Sequence, residues 1–246
     1  MGEMAGGRSM LEHLYTRVSA SKRLSELVVC TSTSALDDPL ADAARRRGWP
    51  VWRGSENDVL DRMYGGAKSA QADIVVRISG DCILHDARIV DYVVDHYLAQ
   101  GNVRSFVCNK RPFTWPDGFD VEVCSMSMFE EVWRDARTAF EREHVFPLVY
   151  RYPERFGMHN VVRPDGPELF HLYRIVLDYH EDLALIRTLI EQLGADASFE
   201  QIMMHLETHP ELHAPVNQYL PPAELCDAWQ FEIAAMNAAK AGTSSK

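Results

Sequence analysis

Two aspartates stand where phosphate chemistry could be done. Asp81 closes the apolar run Asp73 to Ile78 through Ser79-Gly80, and Asp178 directly follows the run His171 to Leu177. Short, near-continuous apolar runs read as strands of a buried parallel sheet, and ligands on such sheets bind beyond the carboxyl ends of the strands. Two carboxylates meeting there can hold Mg²⁺, which keeps some of its water and takes its remaining ligands from substrate phosphates. Taken alone, each aspartate also fits a helix N-cap. Other groups with chemical potential are Asp120 and Glu122, alternating after the turn Pro116-Asp117-Gly118; the run Arg142-Glu143-His144; and His171 with Arg174 ahead of Asp178.

The elements that must position these residues alternate between strand and helix. Ser9 with Glu12 has the form of a capping box, and Met10, Leu11, Leu14 and Val18 recur at helical spacing. Leu27 to Thr31 predicts a strand, Asp38-Pro39 starts a helix that ends at Arg45-Arg46-Arg47-Gly48, and Val51-Trp52 is the next strand. Helices are expected at Asn57 to Ala70, Ala87 to Leu98, Met126 to Arg137, Glu143 to Tyr150 and Glu181 to Leu193. Strands are expected at Asp73 to Ile78, Ser105 to Cys108, Phe119 to Cys124, Phe156 to Val162 and His171 to Leu177. The pattern implies an α/β fold with a three-layer, open and mostly parallel sheet over residues 1 to 195. A helical C-terminal extension, 196 to 246, should hold helices at Phe199 to Glu207 and Pro222 to Ala239.

Composition narrows the function. A chain of 246 residues with 46% hydrophobic content can bury a sizeable core, and its formal charge of −11 disfavours a surface that tracks nucleic-acid phosphates. No apolar run reaches membrane-spanning length and nothing has the form of a signal peptide, so the expectation is a cytoplasmic protein with neither nucleic-acid nor membrane partners. Five widely spaced cysteines, Cys30, Cys82, Cys108, Cys124 and Cys226, read as packing residues and not as a disulfide framework or zinc site.

Several motifs occur in a fixed order: Met10-Leu11-Glu12-His13 with Arg17-Val18, Val28 to Thr33, Arg53 to Arg62, Val75 to Leu84, Pro116 to Glu122, Glu141 to Val145, and Leu177 to Leu183. Together they resemble the spore coat polysaccharide cytidylyltransferase-like proteins, relatives of CMP-KDO synthetase and the acylneuraminate cytidylyltransferases. The resemblance implies the nucleotide-diphospho-sugar transferase fold and a reaction between CTP and a small acidic sugar. In that reaction the sugar hydroxyl oxygen attacks the α-phosphorus of CTP and pyrophosphate leaves. By analogy it also implies a homodimer.

Carried onto this chain, the resemblance makes Asp81 and Asp178 the metal ligands. It puts Thr31, Ser32, Ser55, Asp58 and Arg62 in segments that contact nucleotide, although Ser55 and Asp58 equally fit a helix-start cap and Arg62 a solvated charge. On the sugar side, Arg142 and Arg174 could grip the acceptor carboxylate while His144 takes the proton of the attacking hydroxyl, with Glu143 and His171 beside them, although a His or Arg at a helix start equally fits a surface or capping residue. Asp120 and Glu122 could orient sugar hydroxyls or a basic neighbour, or form the solvated face of an edge strand. Family members open with a hydrophobic strand and a phosphate-binding loop that have no counterpart in the given sequence. The expectation is therefore a downstream start site, a fragment, or a family member that binds without catalysing.

Overall fold

The computed structural model describes residues 8–101, 104–164 and 168–220; the helix expected at Pro222 to Ala239 and Cys226 lie outside them. The chain opens with α1 (Met10–Val18), capped by Ser9 and Glu12 in the reciprocal arrangement their spacing predicts. It continues through β1 (Val29–Ser32), α2 (Asp38–Arg46), β2 (Val51–Gly54), α3 (Val59–Ser69), β3 (Ile74–Arg77), α4 (Ala87–Ala99) and β4 (Phe106–Cys108). Then come β5 (Glu122–Ser125), α5 (Met126–Asp135), α6 (Ala139–His144), α7 (Pro147–Arg151), β6 (Met158–Asn160), α8 (His180–Leu193), α9 (Phe199–Thr208) and α10 (Pro210–His213).

The strands form a parallel pair, β1-β2, and a four-stranded sheet in the order β3-β5-β4-β6. In the larger sheet β5 runs antiparallel to both neighbours while β4 and β6 are parallel, so β3, β4 and β6 share one direction. One apolar cluster packs α4, α8 and α9 on the sheet through Val90, Ile186 and Ile202; a second packs α3, α5 and α7 through Leu60, Phe129 and Val149. The result is the expected helix–sheet–helix layering. Phe199, Ile202, Leu206 and Val216 all join the first cluster, which ties residues 199 to 216 to the core.

Two close approaches set the geometry. Gly65 and Gly66 let α3 lie on β2 and β1: a Cβ at Gly66 would sit 2.4 Å from Cys30 Sγ, and one at Gly65 would sit 2.5 Å from Trp52 Nε1. At the other end of α1, the buried guanidinium of Arg17 donates to the carbonyls of Leu84, His85, Ala195 and Ala197, which fastens α1 to the start of α4 and the approach to α9. Cys82, Cys108 and Cys124 are buried free thiols and Cys30 is half-buried and free.

Two expected elements differ. His171 to Leu177 is not a strand: these residues form turns and one bridge, Asp117 to Arg174, and they are stitched to other loops by Ile175 N donating to Asp117 O and Leu177 N to Asp81 O. Buried Ile175 and Val176 supply the apolar pattern without a ladder. The helix expected from Glu143 to Tyr150 breaks at Val145, whose φ is 76°, and restarts at Pro147, which cannot donate a helical hydrogen bond.

Candidate active site

The structure brings Asp81 and Asp178 to one rim. The backbone of Leu177 donates to the Asp81 carbonyl at 3.0 Å, which ties the residue before Asp178 to the Asp81 backbone, although the two aspartates are 97 positions apart in sequence. Neither is a helix cap: Asp86 caps α4, and the first turn of α8 is closed by Asp182, which accepts from the backbone N–H of Tyr179 and of Asp178. Asp81 accepts from the Cys82 thiol at 3.3 Å. Burial, reinforced by the negative charge of Asp178, pushes the Asp81 carboxyl above its ordinary range.

Arg174 organises the rim. The residue is 8% exposed, and its guanidinium reaches Asp117 (3.2 Å), Asp178 (2.5 Å) and Asp182 (3.1 Å). Gly118 makes this possible, because its φ of +105° lets the chain pass where a Cβ would sit 2.2 Å from the Ile175 carbonyl oxygen. Asp117 is pushed up to about 7, first by burial and then by the neighbouring Asp120 charge, with Arg174 working in the opposite direction.

Asp120 and Glu122 face a shared cation, but not on a solvated edge. β5 lies between β3 and β4, and Glu122 is 2% exposed. It accepts from Arg77 and from the Tyr150 hydroxyl, while Lys110 Nζ pairs with Asp120 at 2.9 Å. Burial alone would raise the Glu122 carboxyl; Arg77 and Lys110 reverse this and hold it below its ordinary range. The edge-strand alternative is thereby corrected: pairing on both sides internalises the acidic face.

The nucleotide-side candidates gather around β1, β2 and the start of α3. Thr31 and Ser32 hydroxyls both donate to Asp37, at 2.8 and 2.6 Å, closing the turn after β1. Asp58 caps α3, its own N–H donating to Ser55 Oγ, and Arg62 donates to the Ser55 carbonyl at 2.6 Å. Arg142 belongs to this group in space, since it pairs with Asp58 at 3.2 Å. His144 lies in the last turn of α6 with its ring 4.6 Å from that of Phe140, and Glu143 is exposed beside it. His171 sits in a turn, 3.5 Å from Glu168. Asp178 and Arg174 therefore share the Asp81 rim, whereas Arg142, Glu143 and His144 are carried on the helix packed against α3.

Sequence reasoning passed over Arg77, Lys110, Asp117 and Asp182. Arg77, Asp117 and Asp182 stand inside the ordered motifs and Lys110 outside them. Among the described residues no three His, Cys, Asp or Glu side chains form a preformed metal cage. Two carboxylates suit Mg²⁺, which binds through one or two carboxylates and completes its shell with water and phosphate oxygens. The upward displacement of the Asp81 carboxyl is the electrostatic penalty that a cation there would relieve.

A sequence model of a cytidylyltransferase family matches residues 4–207. The chain belongs to that cytidylyltransferase family, and is a nucleotidyltransferase enzyme. It is 30% identical over 208 residues to an uncharacterised protein of Methanocaldococcus jannaschii, covering 84% of this chain and 83% of that one. It is 27% identical over 215 residues to the spore coat polysaccharide biosynthesis protein SpsF of Bacillus subtilis, with 84% and 86% covered. The solved structure of a cytidylyltransferase from Leptospira borgpetersenii superposes with a TM-score of 0.80 at 29% identity, over 86% of this chain and 90% of that one. CMP:2-keto-3-deoxy-manno-octonic acid synthetase complexed with CTP shares the fold, with a TM-score of 0.54 at 14% identity over 78% of this chain and 90% of that one. Among the described residues no helix is long and apolar enough to cross a membrane.

Proposed function

We propose that this enzyme transfers the CMP group of CTP to a hydroxyl of a small acidic sugar, releasing pyrophosphate, in the synthesis of a surface polysaccharide. The observation that carries the reading is the charge arrangement at the rim. Three cations, Arg77, Lys110 and Arg174, are each ion-paired, and between them they face Asp117, Asp120, Glu122, Asp178 and Asp182. Asp81 adds a further carboxylate whose hydrogen-bond donor is a thiol. Carboxylates outnumber cations there, which favours a divalent ion.

Asp81 and Asp178 would hold Mg²⁺. When bound, the ion supplies charge neutralisation at the triphosphate, the main requirement of phosphoryl-transfer chemistry. Arg174 keeps Asp178 turned toward the rim. Asp117, with a carboxyl near neutrality, can accept the proton of an attacking hydroxyl and does so without leaving its contact with Arg174. The polysaccharide role and the acidic acceptor are supported by the relatives' names.

The test is pyrophosphate release from CTP and Mg²⁺ with a panel of 2-keto-3-deoxy sugar acids, for the wild type and Asp81→Asn. Turnover that falls at least 100-fold in the variant is expected. Equal rates would remove Asp81 from the metal site, and CTP binding without turnover on any acceptor would make the protein a binding subunit.

A further inference from the structure

The loop that carries Arg174 and Asp178 has no ladder to hold it. Its backbone is tied to other loops by Ile175 N donating to Asp117 O and Leu177 N to Asp81 O, and the Asp178 side chain is 50% exposed. Side-chain packing must supply the rest of its position. Tyr173 directly precedes Arg174 and Tyr179 directly follows Asp178, so the stretch is flanked by an aromatic ring at each end. Both rings meet one short segment. His213 stands edge-on to Tyr173 with the ring centroids 5.0 Å apart, and Tyr219 lies flat on Tyr179 at 3.9 Å with 14° between the planes. Between these two contacts runs a single 3₁₀ segment, Ala214–Tyr219.

That segment is itself anchored. Val216 is fully buried in the first apolar cluster, and Leu212 packs against the same cluster. His213 Nδ1 donates to Asn217 Oδ1 at 3.1 Å, which fixes its ring, and the Tyr219 hydroxyl donates to Glu181, in the first turn of α8, at 3.2 Å. The stack leads back to the rim: the Arg174 guanidinium lies over the Tyr179 ring, 5.5 Å from its centroid, and the same guanidinium pairs with Asp178. Tyr179 stays 48% exposed under the stack, so the contact sets a plane and a spacing more than it hides apolar area.

We infer that residues 213–219 clamp the loop bearing Asp178, and that Tyr219 is a positioning residue for that carboxylate. The clamp stands on the ring contacts; its consequence for a bound cation rests on the metal role proposed above for Asp178. Losing one stacked aromatic pair shifts a local equilibrium by roughly 2- to 12-fold. Exchange of the loop amides rises by that factor, and the apparent affinity of a cation that needs Asp178 in place falls by no more than the same factor.

The test compares Tyr219→Ala and Tyr219→Phe with wild type in the full chain. Hydrogen exchange without metal is followed at the amides of Leu177, Asp178 and Tyr179, and Mn²⁺ alone is titrated through the paramagnetic resonance signal of the free ion. In Tyr219→Ala these amides should exchange about 5-fold faster with α9 unchanged, and Mn²⁺ should bind at least about 2-fold more weakly; Tyr219→Phe, which keeps the ring, should match wild type in both. Unchanged exchange in Tyr219→Ala, or faster exchange that spreads to α9, would overturn the clamp, and a Phe variant that behaves like Ala would overturn the ring stack as its carrier. Faster exchange with unaltered Mn²⁺ affinity would overturn Tyr219 as a positioning residue. Asp81→Asn separates this inference from the metal reading: Mn²⁺ that wild type does not hold, or that survives this change, removes the metal site, and exchange in Tyr219→Ala then decides the clamp alone.

Discussion

Replacing Arg174 by Gln isolates the part of the rim that holds Asp178 in place. The guanidinium neutralises three carboxylates of unequal exposure: Asp182 is 1% exposed, Asp117 26% and Asp178 50%. Pairs that water still reaches contribute about 0.5 kcal/mol each, whereas stranding a buried charge costs about 3–5 kcal/mol. Asp182 keeps two backbone N–H donors, from Asp178 and Tyr179, so the lower end applies and the loss should be about 3 kcal/mol. Urea unfolding at pH 7 in metal-free buffer measures it. Asp182→Asn added to Arg174→Gln should give a coupling of about 2 kcal/mol, since the second change removes the stranded charge. A loss below about 1 kcal/mol, or strict additivity of the two substitutions, would refute the view that Arg174 is a buried hub.

Gly118→Ala should cost about 2–4 kcal/mol in the same assay, because the methyl group meets a backbone carbonyl at a positive φ and neither can yield cheaply. Gly66→Ala sets a helix-propensity gain of about 1 kcal/mol against a contact with Cys30 Sγ; a net loss of about 1–2 kcal/mol is expected, and Cys30→Ala in the same chain should recover it, as a thermal melt would show. Asp117→Asn should stabilise the metal-free protein above pH 7. The folded carboxyl near 7 against about 4 unfolded corresponds to about 4 kcal/mol, and with 26% of the side chain exposed and its Arg174 pair lost about 2 kcal/mol is expected. The advantage should fade as pH falls from 7 to 4, because protonated wild type no longer buries the charge; a pH-independent difference would remove Asp117 as the titrating group.

Much of this arrangement was legible. The Ser9/Glu12 cap, the strand ending in Gly80-Asp81, and the alternation of strand and helix follow from local spacing, and the structure shows each of them. What spacing could not show is pairing. Whether the strand bearing Glu122 lies at an edge or inside depends on Arg77 and Cys108 flanking it, and those residues lie 45 and 14 positions away. The run before Asp178 has the apolar content of a strand because Ile175 and Val176 are buried, but its backbone partners are single residues of two other loops. The break at Val145 was readable from Pro147. Thr31, Ser32, Ser55 and Asp58 show how one pattern carries two meanings: the structure gives all four a turn or capping role.

The separation of the two sheets bears on catalysis as well as stability. Thr31, Ser32, Ser55, Asp58 and Arg62 belong to the small sheet and the start of α3, whereas Asp81, Asp117, Asp120 and Arg174 belong to the larger sheet and its loops. No strand hydrogen bond among the described residues spans the two groups; helix packing alone sets their spacing, through α3 resting on Gly65-Gly66 and α1 held by Arg17. On the proposed reading the base and the triphosphate would fall to different groups, so a substitution that shifts one group against the other by a fraction of an ångström should lower turnover more than it weakens binding of a ligand held by one group alone, such as cytidine; equal losses would separate the spacing from the reaction.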